Sequence, residues 1–304
     1  MSSPLVSIGF PVYNGGKLVK RALDSILAQD FEDFELIISD NASTDDTEAI
    51  CRNYAGRDSR IRYFRNEANI GASPNHNRVF ELSRGKYFTW SADDLEYFPG
   101  MLSRCITAMN EAPPTVVLVY SGCELVNHSG ELISNHQPTI ASSDPRPHKR
   151  VGLVIRNIGY VIQHYGLFVS EALRKTRLNG SYASADFVLT AELAMLGEIR
   201  EIPGILIRRT INPQSGTAAV LHSQKEWAAW LDPKMKNRRI LLPLRERLAF
   251  EYLRSAWRLP LKRADKLACL LAAPATHYRK SLSKDMQFWR SRLKHRLAHF
   301  LVRG

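Results

Sequence analysis

Two successive aspartates, Asp93 and Asp94, stand just past Lys86-Tyr87-Phe88-Thr89-Trp90, a run with the aromatic and β-branched make-up of a strand. Hard cations such as Mg²⁺ and Mn²⁺ favour carboxylate oxygens and often share their shell with substrate phosphates; a solvated turn is the plain alternative. A second acidic point, Asp40-Asn41, follows Phe34–Ser39. A carboxylate there can accept hydrogen bonds from a nucleobase or ribose, or simply make the turn before a helix cap at Ser43. Asp186 opens a helical pattern whose apolar side is Leu189, Leu193 and Leu196. It is a cap, or a general base if an acceptor hydroxyl comes within hydrogen-bond reach. Glu192, nearly two turns on, is expected to be structural. Arg208-Arg209 ends a strand-like segment, where an arginine can brace a diphosphate, or the pair can sit one on each face as surface residues. His76, His128, His136 and His164 lack metal-ligand spacing, and Tyr87 and Trp90 are expected in the core. No GxGxxG follows the first strand and no GxxxxGK[ST] occurs, which disfavours a dinucleotide oxidoreductase and a P-loop.

The elements that must position these groups alternate. Leu5–Phe10 reads as a buried strand stopped by Pro11, and Asn14 as the cap of a helix with Leu18, Ala22, Leu23, Ile26 and Leu27 on one side. Phe34–Ser39 is a second strand. Ser43 and Asp46 resemble a capping box opening a helix through Tyr54. Ile61–Phe64 is a third strand; Ser73 and Pro74 start the next helix, and Lys86–Trp90 is a fourth strand. This order predicts an α/β fold with a mostly parallel sheet between helices, whose ligands lie beyond the strands' carboxyl ends, where Pro11–Asn14, Asp40–Asn41 and Asp93–Asp94 fall. Further on, the spacing predicts a helix over Pro99–Glu111, strands over Val116–Tyr120 and Glu124–Ile133 with a bend at Asn127–Gly130, and a mobile loop over Ser134–Arg150. A helix over Asp186–Leu196, a strand over Ile205–Thr210 and a polar turn over Asn212–Gly216 follow. From Glu226 onward the pattern is helical only, broken at Pro233, Pro243, Pro260 and Pro274.

Charge divides the 304 residues unevenly: the net +12 comprises +15 from Pro233–Gly304, with 19 Lys and Arg against 4 Asp and Glu, and −3 from the rest. The apolar fraction of 44% and charged fraction of 24% exclude global disorder and fibrous repeats. The longest strictly apolar run, Leu267–Pro274, is far short of the roughly 20 residues that cross a bilayer. The opening residues read as a strand and not as a signal segment. Four cysteines without metal or redox spacing suit a reducing compartment, so the expected location is cytoplasmic, with a peripheral place at the inner face of the cell membrane as one of two readings of the basic tail.

Taken in order, the segments resemble family 2 glycosyltransferases of the GT-A fold. The resemblance rests on Val6-Ser7-Ile8-Gly9-Phe10-Pro11-Val12-Tyr13-Asn14, on Leu23–Gln29, and on Phe34–Asp45 with its Asp40-Asn41-Ala42-Ser43 core. It continues through Arg65-Asn66, Asn69-Ile70-Gly71, Gly85–Phe88, Trp90-Ser91-Ala92-Asp93-Asp94 and Pro99, with weaker likeness at Leu178–Gly197 and Leu206–Ser215. It implies a transferase moving a sugar, with inversion, from a nucleotide-sugar co-substrate, by family likeness a UDP-sugar, to a saccharide or lipid-linked acceptor. Pro11, Val12, Tyr13 and Asn14 would line the nucleoside pocket, with Asp40 on the base, Asn41 beside it, and Arg65 and Asn69 on the loop that closes around the nucleotide. Asp93, with Asp94, would hold the Mn²⁺ or Mg²⁺ that bridges the diphosphate, Arg208 and Arg209 would brace the phosphates, and Asp186 would be the base. It also implies a GT-A unit over 1–223, with nucleotide-sugar binding in 1–100 and the acceptor side in 101–223, before a helical basic extension over 224–304.

Two departures stand out. Ser91 replaces the first aspartate of the family's Asp-x-Asp, and Thr210-Ile211-Asn212-Pro213 lacks the histidine many relatives place there, leaving Asn212 as a weak substitute. They keep open a catalytically degenerate nucleotide-sugar or membrane-binding module. A sugar nucleotidyltransferase is the other alternative, although Gly15-Gly16-Lys17 comes late for its loop. In the basic tail, Phe300 shares helical spacing with Leu293 and Leu297, with Arg290 and Lys294 on another side, which predicts either an anionic membrane surface as partner through 233–304 or helices packed with a solvated basic face. No nucleic-acid partner is expected.

Overall fold

The computed structural model describes residues 3–16, 18–137, 139–211, 224–236 and 242–301, with side chains described through Ser283. Seven consecutive buried residues, Val6–Val12, form β1. An apolar run without alternation belongs to a strand covered on both faces. β1 lies in parallel between β2 (Phe34–Asp40) and β4 (Tyr87–Trp90), and β2 pairs in parallel with β3 (Ile61–Arg65). The crossovers are α1 (Leu18–Leu27), α2 (Thr47–Ala55) and α3 (Ala72–Glu81). Register sets Val12 against Asp40 and Asp40 against Arg65, so three strands deliver their next residues to one edge.

The rest of the sheet is mixed. β5 (Leu95–Tyr97), α4 (Met101–Glu111), β6 (Val116–Val126), β7 (Leu132–His136), α5 (Pro147–Asn157), a 3-10 turn Ile162–Tyr165, β8 (Leu167–Val169), α6 (Ser170–Arg174), α7 (Ala185–Leu196) and β9 (Glu198–Thr210) follow in order. The nine strands run β3-β2-β1-β4-β8-β6-β9-β5, with β7 added on β6. β8 is antiparallel to both β4 and β6 and joins the two halves; β6 and β9 are parallel, and β5 is antiparallel to β9.

Several local expectations change. Pro11 does not stop β1: pairing with β4 ends at Gly9 opposite Trp90, so the imide two residues on removes no rung on that side. The first helix is not capped by Asn14, and the Ser43–Asp46 capping box does not form: α2 follows Asp46, which makes no side-chain cap bond. α3 starts one residue after Gly71, ahead of the expected Ser73. Val116–Val126 is one strand and not two; the bend at Asn127–Gly130 is real, closed by Asn127 Oδ1 accepting from the amides of Ser129 and Glu131. The expected loop over 134–150 holds the end of β7 and the start of α5. Asn212–Gly216 lies outside the described residues.

The C-terminal part is α8 (Gln224–Leu231), a 3-10 turn Pro233–Met235, α9 (Leu244–Arg258) and α10 (Arg263–Leu301). Pro274 lies inside α10, which continues through it. α9 packs on α7, and α10 packs on α5 and α9. Leu248, Tyr252, Ala256, Leu259, Cys269 and Ala273 belong to the same buried cluster as β1, each large apolar side chain contributing about 1.5–3 kcal/mol. An ionic knot ties α9 to α7: Arg177 donates to Glu192 and Glu251 and to Ser255 Oγ, Ser255 Oγ donates to Glu192, and Arg258 pairs with Glu192. Glu192 is thus structural, as its spacing implied.

Candidate active site

At the carboxyl edge of β1–β3 a chain of buried amides fixes the loops. Asn75 exchanges hydrogen bonds with Ser39, and Asn66 donates to Asn75 Oδ1 and Asn41 Oδ1. Asn41 donates to Asn69 Oδ1 and the Gly71 carbonyl while accepting from the Ile70 amide. Gly71 adopts φ +94°, and a Cβ there would lie 2.5 Å from the Leu231 carbonyl, so α8 seats directly on this turn. Asp40 is fully buried: Oδ1 accepts from the Ser43 amide at 2.8 Å and Oδ2 from the Tyr63 hydroxyl at 2.8 Å. Burial and Asp40 together push the Tyr63 phenol well up, which keeps it a donor. Arg65 donates to Glu48 and to the Ser43 carbonyl. Asn14, at φ +52°, accepts from Thr44 and donates its own amide to Ser43 Oγ, which locks the two loops together; Tyr13 beside it is exposed.

The edge beyond β4 is different in kind. Asp93, partly buried, has its carboxyl pushed up to about 6, first by burial and then by the neighbouring Asp94 charge. A Cβ on Gly15 would come 2.9 Å from Asp93 Oδ2 and 2.5 Å from Val19, so only glycine lets the first loop approach this carboxylate. Asp94 Oδ2 accepts from Arg209 Nε at 3.0 Å, whereas Asp94 Oδ1 is buried with no hydrogen-bond partner. Tyr160 and Tyr165 face the Arg209 guanidinium at 5.5 and 5.4 Å. Burial opposes its charge, yet Tyr165 and Asp94 hold its pKa well above the ordinary value. His164 stacks on Trp90 at 4.4 Å and is kept neutral by burial and by His76 and Arg209. Asp186, in the first turn of α7, accepts from the Phe187 amide at 3.0 Å. Burial raises its pKa, and Arg209 works in the opposite direction. Arg209 is thus paired directly with Asp94, and its charge also favours the ionised forms of Asp93 and Asp186.

The structure thus brings Asp93, Asp94, Arg209 and Asp186 together, and gathers Pro11–Asn14, Asp40, Asn41, Arg65 and Asn69 in the adjoining region. Arg208 is apart. It alternates with Arg209 along β9, donates to Glu124 at 2.7 Å and lies over Phe98. Ser91 is fully buried, so its hydroxyl supplies nothing to the open site. Asn212 is outside the described residues. Tyr63, Asn75, Tyr160 and Tyr165 carry no motif signal, and His164 shows only its lack of metal-ligand spacing; of the supporting amides, Asn41, Asn66 and Asn69 stand in quoted motifs and Asn75 does not.

A divalent cation fits Asp93 and Asp94. The first is a carboxylate whose ionisation its surroundings oppose, and the second carries a buried oxygen without a partner. Among the described residues no group of three or more His, Cys, Asp or Glu can hold a metal unaided, so water and substrate oxygens must complete such a shell.

Residues 7–176, more than half of the chain, match the family model described as glycosyl transferase family 2. The chain belongs to that family. An uncharacterized glycosyltransferase of Rickettsia bellii is 36% identical over 137 residues, which cover 44% of this chain and 19% of that longer protein. The GalNAc(5)-diNAcBac-PP-undecaprenol beta-1,3-glucosyltransferase of Campylobacter jejuni is 29% identical over 191 residues, covering 62% of this chain and 60% of that one. Among solved structures, S. aureus TarS 1-349 in complex with UDP-GlcNAc superposes with a TM-score of 0.62 at 15% identity, covering 90% of this chain and 72% of that one, a likeness of fold. The glycosyltransferase thus has the GT-A architecture its motifs implied, and among the described residues no helix is long and apolar enough to cross a membrane.

Proposed function

We propose that this glycosyltransferase moves a sugar, with inversion, from a nucleoside-diphosphate donor, a UDP-sugar, to the hydroxyl of a saccharide or lipid-linked acceptor. The observation that carries the proposal is the Asp94–Arg209 pair beyond β4, with Asp93 next to it against the Gly15 loop and Asp186 within reach of the same Arg209 charge. The Campylobacter relative, named for a lipid-linked acceptor, supports that acceptor class.

In this reading residues 1–100 hold the donor and 101–223 the acceptor side. The nucleoside lies along Pro11–Asn14, with the exposed Tyr13 ring as its stacking surface. The buried Asp40 and Asn41, with Arg65, spend their polar atoms on one another's loops and shape the pocket from behind, while the exposed Asn69 engages only its Oδ1. Arg209 faces the diphosphate and offsets the negative charge that grows as it departs. Asp93 and Asp94 would hold Mn²⁺ or Mg²⁺, which when bound supplies further electrostatic stabilisation of the leaving group. Asp186 takes the acceptor's proton as the acceptor oxygen bonds to the anomeric carbon and the bond from that carbon to the phosphate oxygen breaks. Its raised pKa brings it nearer to working pH, where a base is most effective.

Titration with uridine, guanosine, thymidine and cytidine diphosphates, with and without Mn²⁺, alongside Asp93→Ala, tests the donor site. Binding of UDP that needs both Mn²⁺ and Asp93 is expected; binding to none of the four refutes it. Release of pyrophosphate in place of nucleoside diphosphate would make the protein a nucleotidyltransferase.

A further inference from the structure

The sides of α9 and α10 turned away from the core carry an exposed apolar stripe beside their charged residues, where a solvated helix would be polar throughout. On α10 Ala264, Leu267, Leu271, Ala275, Tyr278 and Leu282 are all exposed, and their three- and four-residue spacing puts them on one stripe opposite the buried Cys269 and Ala273. Leu267 is 61% and Leu271 67% exposed. On α9 the exposed Phe250, Leu253 and Trp257 follow the same spacing opposite Leu248, Tyr252 and Ala256, and Trp257 is 71% exposed. Lys266 Nζ donates to the Trp257 carbonyl at 2.8 Å, so the end of one stripe adjoins the start of the other. Apolar surface gathered in this way marks an interaction site.

Charge decides the occupant. Residues 233–304 carry a net +15 against −3 for the rest of the chain, and Arg254, Arg258, Lys262, Arg263 and Arg279 are exposed along these helices. A second copy would press the same excess of positive charge against itself, whereas a bilayer with anionic headgroups brings the opposite sign. Exposed indole and phenol rings suit the headgroup level, and an apolar helix face flanked by Lys and Arg lies in the plane of the interface. We propose that the outer face of α9 and α10 docks on an anionic membrane surface, with Trp257, Leu267 and Leu271 entering the acyl boundary and the flanking cations meeting the headgroups. The surface shares no residue with the donor site, so vesicle binding is read independently of turnover.

Full-length protein is co-sedimented with vesicles of phosphatidylcholine alone and of equal parts phosphatidylcholine and phosphatidylglycerol. Binding at least about tenfold stronger to the anionic vesicles, and weakened by salt, is expected. Leu267→Glu/Leu271→Glu should lower partition by about tenfold or more, and Trp257→Ser by less, each with an unchanged melting temperature because the side chains are exposed. Lys262→Glu/Arg263→Glu should weaken anionic binding and leave the neutral baseline alone. Equal binding to both vesicle types, or apolar variants that bind like the parent, overturns the proposal. So does a lipid-free dimer, seen by sedimentation velocity, that Leu267→Glu/Leu271→Glu dissolves, because the stripe would then be a contact between copies.

Discussion

The two edges of the site solve opposite problems with similar residues. Beyond β1–β3, Asp40, Asn41, Asn66, Asn69 and Asn75 satisfy one another and the backbone. Beyond β4, Asp93 is ionised against its surroundings and Asp94 keeps a buried oxygen without a partner. The first edge is closed on itself, and the second is left open. A polar network closed on itself confers shape, while one left open stores binding and catalytic capacity.

The sharpest way to break this contrast is at Asp186, the proposed base. Asp186→Asn should lower kcat by about 10²–10⁴-fold while leaving UDP affinity within about twofold, read by steady-state kinetics and calorimetry. Arg209→Met should cost on the order of 10²-fold in kcat/KM and weaken diphosphate binding, whereas Arg208→Met, on the other face of β9, should change either by less than about twofold. At the finished edge, Asn75→Ala should destabilise the fold by about 2–3 kcal/mol in chemical unfolding, because it orphans the Ser39 and Asn66 groups that now pair with it.

The smallest effect carries a sign that separates the two edges. Asp93 titrates near 6 in the folded chain, above its range when unfolded, so its ionisation removes stability as pH rises through that value. In chelator at pH 8, Asp93→Asn should therefore be more stable than the parent by about 1–2 kcal/mol, the shift being discounted for partial solvent access. Metal-dependent UDP binding by the parent should weaken as pH falls below about 6, where a proton competes for the carboxylate. A destabilised Asp93→Asn would mean that the β4 edge is as closed as the other.

Much of the first half was legible because local and global signals agree there. β1, β2 and β4 are short buried runs that end in polar turns, so the parallel sheet and its ligand edge follow from the alternation with helices, whereas the lateral order of the strands does not. Legibility failed where tertiary pairing overrode local signals. Pro11 sits in a strand because no rung is lost, Pro274 in a helix flanked by α5 and α9, and three-residue β8 has too few residues to show a period. In the site, acidic residues after strands announced themselves. Their partners did not: the rings of Tyr160 and Tyr165 meet Arg209 from some 45 to 50 positions away in the chain, a distance that no spacing rule spans. Arg208 and Arg209 were indistinguishable by type, and only strand alternation separates them.

The knot of Arg177, Glu192, Glu251 and Ser255 bears on how such a chain can diverge. Removing Glu192 or Glu251 takes one of two carboxylates from the largely buried Arg177, and removing Arg177 leaves Glu192 to Arg258 and Glu251 to Arg247, so each single loss weakens a shared network. Substitutions there are coupled through shared partners, so the four positions should drift together across descendants. A recombination joining this N-terminal half to the C-terminal helices of another lineage would inherit mismatched halves of one ionic group. The terminal helices should therefore be inherited with the helix that carries Asp186.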